Sequence, residues 1–312
     1  MAWSIDGTWL ASGSADASIR IWSFERLITA NNSNSKVSAS EAGLLELPTS
    51  QGKAVNQVTW CPWRTELLAT ASSDRNLCIW NINECLKAKD TATLQPVFKI
   101  EFDAEVMLVA WHPTKPLLAA GSRADKVYIY EIFEKSARLL HTLSFKLDVN
   151  DLSFNQDSLA VALGDGSVSI YDPSFTNLKS LQIHTSDCLC ARFQGDLLVT
   201  GGADAQVTVW KSDTLLPLKC FNRMEWSIRA VSVSHDSAFL AIGTEDTFLA
   251  IEDVRSGQLV AKIPTSSRAS RHGTPINCIA WHPSKHIFVF AGEEVDDRTG
   301  RFTGVIKLIG TQ

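Results

Sequence analysis

A unit of about forty-five residues recurs seven times along this chain, and a fixed period of that length restricts the fold more than any local signal does. Each unit opens on an aromatic or β-branched anchor followed by a short polar turn. The anchors are Trp3, Trp60, Trp111, Phe154, Phe193, Val233 and Trp281, spaced 57, 51, 43, 39, 40 and 48 residues apart. After the anchor comes an apolar run ending in small residues, as in Leu10-Ala11-Ser12-Gly13, Leu68-Ala69-Thr70-Ala71 and Leu198-Val199-Thr200-Gly201. A second run alternates apolar and polar residues, as in Ile19-Arg20-Ile21-Trp22, Leu77-Cys78-Ile79-Trp80 and Val207-Thr208-Val209-Trp210. Period-two alternation, β-branched enrichment and Gly/Asp/Asn punctuation make these strands.

Four short strands per unit at this period predict an all-β, seven-bladed β-propeller of the WD40 type, occupying residues 1–312 as a single domain. The fifth unit carries the sharpest sign. His184, Thr200, Asp204 and Trp210 stand where WD40 repeats form a hydrogen-bonded chain from loop to strand to strand, because an indole N–H and a hydroxyl inside a packed sheet must find partners. Elsewhere the set decays. Ser12/Asp16/Trp22 and Thr70/Asp74/Trp80 keep three members, Gln51 stands where the second unit would place its His, and Glu252 replaces the sixth unit's Trp. The last unit keeps His272 but has Leu308 for the Trp. Of ten Trp, only Trp226 has no place in the repeat; Trp9 and Trp63 are expected in turns beside anchors.

The polar stretch 26–53, with Asn31-Asn32-Ser33-Asn34-Ser35, is expected to be an insertion loop, and 83–95, 264–274 and 292–300 are expected to project similarly. Two residues precede the first anchor and three follow the last inner strand. The seventh unit is therefore expected to lack its outermost strand and the first to have a stub for its innermost one, as in an N-terminally truncated propeller whose closing blade is incomplete.

Composition bounds the function. A formal charge of −5, from 29 Lys+Arg against 34 Asp+Glu, gives no positive field to hold nucleic acid, so RNA contact is expected to be indirect or weak. No apolar window approaches the length of a membrane span, and neither a membrane nor a small-molecule substrate is expected as a partner. Cys61, Cys78, Cys188, Cys190 and Cys278 lie in apolar strand-like runs, which suits buried reduced thiols. No nucleophile elbow, phosphate loop or zinc-protease helix occurs, so no catalytic residue or cofactor is expected. Cys188-Leu189-Cys190 with His184 could be drawn as three metal ligands, but His184 is already committed to the hydrogen-bonded chain, and no metal site is expected. The Trp-His-Pro turns at 111–113 and 281–283 are expected to be structural, with partly exposed His.

The segment from Cys220 to Asp236, with Arg223, Trp226 and Arg229, departs from a generic WD40 linker. It resembles the corresponding segment of the WD40 subunit family of the THO complex, the core of the TREX mRNA-export machinery. Trp3–Asp16, Phe145–Asn150, His184–Phe193 with its Cys-x-Cys, Gly202–Ala205 and Ile279–Pro283 resemble that family in order and spacing. Departures are the family's missing upstream segment, a longer Asn/Ser-rich 26–53 stretch, and a turn after Phe193 shortened to Gln194-Gly195-Asp196. The resemblance implies a non-catalytic nuclear scaffold, docked on the large helical subunits of THO and other TREX components, acting in co-transcriptional mRNA packaging and export. An aromatic flanked by Arg in a connecting loop has the composition of an interface hot spot, which makes Arg223, Trp226 and Arg229 the candidate partner-binding residues. The competing possibility is that Trp226 packs into a blade junction and Arg229 pairs with a carboxylate. The rival function is a substrate receptor of a cullin-type ubiquitin ligase, for which Glu252-Asp253-Val254-Arg255 has the Asp and Arg of the expected motif but not its Trp.

Overall fold

The computed structural model describes residues 1–32, 43–48, 52–88, 94–246, 248–265, 275–295 and 302–310. Chain contacts divide it into two units, 1–149 and 150–312. The described residues form a seven-bladed all-β propeller in which each blade is an antiparallel meander of sequential strands.

The first unit holds three four-stranded sheets. Sheet 1 is Ala2–Trp3, Trp9–Gly13, Ile19–Ser23 and Gly43–Leu47; sheet 2 is Val55–Trp60, Leu67–Ser72, Asn76–Asn81 and Phe98–Glu101; sheet 3 is Val106–Trp111, Leu117–Ser122, Lys126–Ile132 and Ala137–Ser144. The second unit holds four, the first of which begins at the boundary residue Val149. Sheet 4 is Val149–Phe154, Leu159–Leu163, Ser167–Tyr171 and Asn177–Gln182; sheet 5 is Cys188–Gln194, Leu197–Gly202, Val207–Lys211 and Pro217–Phe221; sheet 6 is Ala230–Val233, Phe239–Gly243, Phe248–Asp253 and Leu259–Pro264. Sheet 7 has three strands among the described residues, Ile276–Trp281, Ile287–Val295 and Phe302–Gly310, and the first strand of sheet 1 has two residues.

The core lies between neighbouring sheets. In the first unit, Ile21, Leu47, Val58, Leu68 and Trp80 pack together, and so do Ala69, Ile79, Val109, Trp111 and Leu118. In the second unit Val199, Val209, Ile228, Val231 and Leu240 form one cluster and Leu249, Ile276, Trp281 and Phe288 another. The second strands of sheets 2, 4 and 5 are buried along their whole length because they are covered on both faces, whereas the outermost strands of sheets 2 and 6 alternate half-buried and exposed residues.

The anchors explain why the repeat begins where it does. The indole of Trp60 donates to Ala2 O at 3.1 Å, that of Trp111 to Thr59 O at 3.3 Å, and that of Trp281 to Ser232 O at 3.1 Å. Each thus ties the first strand of its sheet to that of the sheet before. Between sheets 4 and 5, where the anchor is Phe193, the buried Asp151 carboxylate does the joining. It accepts the Ala191 amide at 3.0 Å and pairs with the Arg192 guanidinium.

Several expectations change. The 26–53 stretch is not simply a loop, since a helix at Phe24–Asn32 and the outer strand Gly43–Leu47 occupy much of it. Ile82–Lys87 is likewise a helix, capped by Asn81 Oδ1, which accepts the Glu84 amide at 3.2 Å. Trp9 opens a strand rather than sitting in a turn. His112 and His282 are buried, not partly exposed. Their Nδ1 atoms accept turn amides, those of Thr114 and Lys115 at 3.2 and 3.0 Å and that of Ser284 at 3.2 Å. Gln51, the 89–93 part of the expected 83–95 loop, residues 266–274 of the expected 264–274 loop with His272, and the 296–300 part of the last hairpin lie outside the described residues.

Candidate partner-binding site

Across each sheet the anchor, a second-strand residue and a third-strand residue stand opposite one another in one row. The rows read Trp3–Leu10–Trp22, Trp60–Leu68–Trp80, Trp111–Leu118–Tyr130, Phe193–Leu198–Trp210, Val233–Leu240–Glu252 and Trp281–Phe288–Ile309, with Leu159 opposite Tyr171 in sheet 4. Leu308 is therefore not the residue at the last unit's Trp position. It pairs with Val289, and Ile309 takes the place, because a shift of one residue moves a side chain to the other face of a strand.

Where the row ends in Trp, the second strand supplies a hydroxyl two residues further on. Trp22 Nε1 donates to Ser12 Oγ at 2.8 Å, Trp80 to Thr70 Oγ1 at 3.1 Å and Trp210 to Thr200 Oγ1 at 3.1 Å. The same positions in the other four sheets are Ala120, Val161, Ile242 and Phe290, and there the row ends in Tyr130, Tyr171, Glu252 and Ile309. Indole and hydroxyl are lost together, since a buried N–H without an acceptor costs about 1–3 kcal/mol.

Sheet 5 extends this pair into a chain. His184 Nε2 lies 3.1 Å from Thr200 Oγ1, and its Nδ1 lies 3.0 and 3.2 Å from the two oxygens of Asp204, which also accept the amides of Thr185 and Gln206. One arrangement satisfies every group: Trp210 donates to Thr200, Thr200 donates to Nε2, and Nδ1–H donates to Asp204. That arrangement needs neutral His184, and burial does hold its pKa below the usual imidazole value against the opposing pull of Asp204. Gly202 makes room for the ring, since a Cβ there would lie 2.5 Å from Nδ1. Cys188 and Cys190 are buried and unconnected to His184 by any ligand geometry. Burial pushes the Cys190 thiol up to about 12 and raises Cys188 as well, so both stay protonated in the packed sheet at neutral pH.

In sheet 6 Glu252 fills the row position with no exposed area, and the segment between sheets 5 and 6 answers it. Arg223 Nε lies 3.2 Å from Glu252 Oε1, and Arg223 Nη2 donates to Gly257 O at 3.0 Å. The geometry is an ion pair without an aligned hydrogen bond, and burial keeps the Glu252 pKa raised although Arg223 opposes it. The remainder of the segment is pinned by apolar residues at Phe221, Met224 and Ile228, all buried in the core between sheets 5 and 6. Ile228 fits against Gly201, where a Cβ would lie 2.6 Å from Cγ2, and its amide donates to Gly202 O at 3.0 Å.

Held at both ends, the segment lifts one large side chain into solvent. Trp226 is 54% exposed, between Met224 and Ile228 inside the core. The three candidate residues are thus treated differently by the fold. Trp226 is presented to solvent. Arg223 is half-exposed but occupied by Glu252 and Gly257. Arg229 donates to Glu245 Oε1 through Nε at 3.1 Å and Nη2 at 2.6 Å. In the four-residue sequence considered for ligase binding, Glu252 is buried, the Asp253 carboxylate accepts the amide and hydroxyl of Ser256 in its own turn, and Arg255 is exposed. The pairing of Arg223 with Glu252 has only one sequence signal, the Glu standing where the repeat asks for Trp.

The repeats and their hydrogen-bonded rows define a WD40 β-propeller. The family description "WD domain, G-beta repeat" matches residues 1–23, 44–81 and 175–211, and "Anaphase-promoting complex subunit 4 WD40 domain" matches 194–284. The β-propeller domain of Cps50 (Swd1) from Myceliophteria thermophila shares the fold, with a TM-score of 0.76 at 17% identity over 99% of this chain and 96% of that one. Among curated proteins, this WD40 chain is similar to THO complex subunit 3 of Arabidopsis thaliana, at 29% identity over 99% of this chain and 91% of the relative. WD repeat-containing protein AAC3 of Dictyostelium discoideum is 26% identical over 94% of this chain and 61% of its own length.

Proposed function

We propose that this protein is a scaffold subunit of a THO complex, acting in the nucleus in the packaging and export of mRNA, with the large helical subunits of that complex and other TREX components as its partners. The observation that carries the reading is end-to-end likeness: 29% identity extends over 99% of the chain and 91% of THO complex subunit 3. A WD40 propeller similar to a complex subunit supports a scaffold role within a protein assembly, and it suggests a non-enzymatic one. Trp226 is the side chain we assign to partner contact, with Arg223 and Arg229 beside it. A large amphipathic side chain on a segment anchored at Met224 and Ile228 loses little conformational freedom on docking, which is what a hot spot requires. The two arginines, already paired with Glu252 and Glu245, would fix the polar rim.

Affinity purification of the tagged chain followed by mass spectrometry tests this. THO subunits should co-purify with the native protein and fall several-fold with Trp226→Ala. Recovery of ligase adaptors without THO subunits would sink the THO reading, and unchanged recovery with folded Trp226→Ala would sink only the assignment of the contact.

A further inference from the structure

In sheets 6 and 7 the turn between the first and second strands carries histidine: Ser234-His235-Asp236 follows Val233, and Ser284-Lys285-His286 precedes Ile287. The fold brings the two turns together. One donor atom from each of His235, Asp236 and His286 lies within 4.8 Å of the others, and His286 Nε2 is 3.3 Å from Asp236 Oδ2. The imidazole rings of His235 and His286 are 5.0 Å apart between centroids.

We propose that His235, Asp236 and His286 bind a divalent transition-metal ion, Zn2+ by the chemistry of the donors, with a remaining coordination position open to solvent. Two imidazoles and one carboxylate are a nitrogen-rich set of the kind zinc takes when three protein ligands leave a position for water, and a poor set for Mg2+ or Ca2+, which prefer all-oxygen sites. Bond lengths near 2.1 Å put neighbouring ligand atoms of a tetrahedral ion about 3.4 Å apart, which the Asp236–His286 pair already matches. His235 completes the set by a side-chain rotation.

The surroundings orient the ligands. Asp236 Oδ1 accepts the Ser234 hydroxyl at 2.6 Å and the Ala238 amide at 3.2 Å, which turns Oδ2 toward His286. The His286 ring stands edge-on to Phe239 at 5.4 Å and to Trp281 at 6.4 Å between centroids. His235 Nδ1 is shielded from solvent and has no hydrogen-bond partner among the described residues, a state that costs free energy as it stands and that a side-chain rotation onto an ion would relieve. The ion would clip the turn of sheet 6 to that of sheet 7.

The test is a Zn2+ titration of the full chain in competition with a chromophoric chelator, with thermal melts in parallel. The expected result is one site in the native protein and a Zn2+-dependent rise in Tm, neither reproduced by Mg2+. Asp236→Asn keeps an oxygen for Ser234 and Ala238, and His286→Phe keeps the ring packing, so both should fold; each should weaken that site by at least about tenfold. His235→Asn should do the same. No zinc uptake by the native chain, or equal uptake by native protein and all three folded variants, overturns the proposal and leaves an Asp–His ion pair packed on aromatic rings.

Discussion

Sheets 5 and 6 are adjacent blades of one unit, built on the same strand order and the same row geometry, yet they solve the end of the row in opposite ways. In sheet 5 the polar tip of Trp210 is absorbed locally by Thr200, which passes the hydrogen bond to His184 and Asp204. Sheet 6 offers Ile242 in place of the hydroxyl, and Glu252 in place of Trp has to draw its counter-charge from Arg223, in the segment leading to its own first strand. A repeat thus tolerates loss of its internal network when a neighbouring segment supplies the missing polar partner. The same segment carries Trp226, so the residue that neutralises Glu252 also helps to fix the side chain assigned to partner contact.

The comparison can be broken most directly at Thr200. Thr200→Val keeps the shape but strands Trp210 Nε1 and His184 Nε2 in a fully buried site, and should lower stability by roughly 2–3 kcal/mol in a denaturant melt. The control in sheet 6 is Ile242→Val, which alters packing alone and should cost about 0.5–1.5 kcal/mol. Equal losses would mean that the sheet 5 network contributes no more than ordinary packing.

Arg223→Ala leaves Glu252 buried without a counter-charge. A fully buried pair broken this way costs about 3–5 kcal/mol, but Arg223 is half-exposed and water replaces part of its effect, so roughly 1–2 kcal/mol is expected. Glu252→Leu should in turn be near neutral or stabilising by about 1 kcal/mol, because it removes the charge that needed Arg223. A large loss from Glu252→Leu would show that the carboxylate has partners in sheet 6 beyond Arg223.

The two sheets also differ in pH response. His184 is neutral in the fold with a pKa below its unfolded value of about 6.5, so the unfolded chain takes up the proton first as pH falls. Its contribution to stability is therefore intact above about pH 6.5 and declines as pH drops from there toward the folded pKa. His184→Gln should be less stable at pH 7.5, and its Tm should fall less between pH 7.5 and 5.5 than that of the native protein. A parallel decline in both proteins would assign the acid sensitivity to other groups.

The smallest expected effect on stability is that of Trp226→Ala, within about 0.5 kcal/mol, because the side chain is mostly in water. Its contrast with Ile228→Ala, two residues on and fully buried, should be several kcal/mol. A Trp226→Ala variant that melts like Ile228→Ala would show that the exposed indole is part of the fold.

The blade pattern was legible because it is written in local periodicity. Anchor spacing, alternating third strands and the residues His184, Thr200, Asp204 and Trp210 could be read without knowing what lies beside them. The helices at Phe24–Asn32 and Ile82–Lys87 were missed because polar composition says little about a short helix that rests on an adjacent sheet. The buried positions of His112 and His282 were missed for a similar reason. Histidine in a turn reads as exposed unless the amides it accepts are known.

By itself the sequence determined the repeat, the strand order it entails and the residues able to form a row, since all three are read from spacings along the chain. Tertiary structure alone decided which residue occupies the last row, Ile309 rather than Leu308, because strand register is set by pairing across a hairpin and not by the letters of one strand. It also decided that Arg223 faces Glu252, that Trp226 faces solvent, and that His235 meets His286 from fifty-one positions away. The physical reason is common to all of these: charge pairing, exposure and ligand geometry belong to the space between sheets, and that space exists only after the strands have packed.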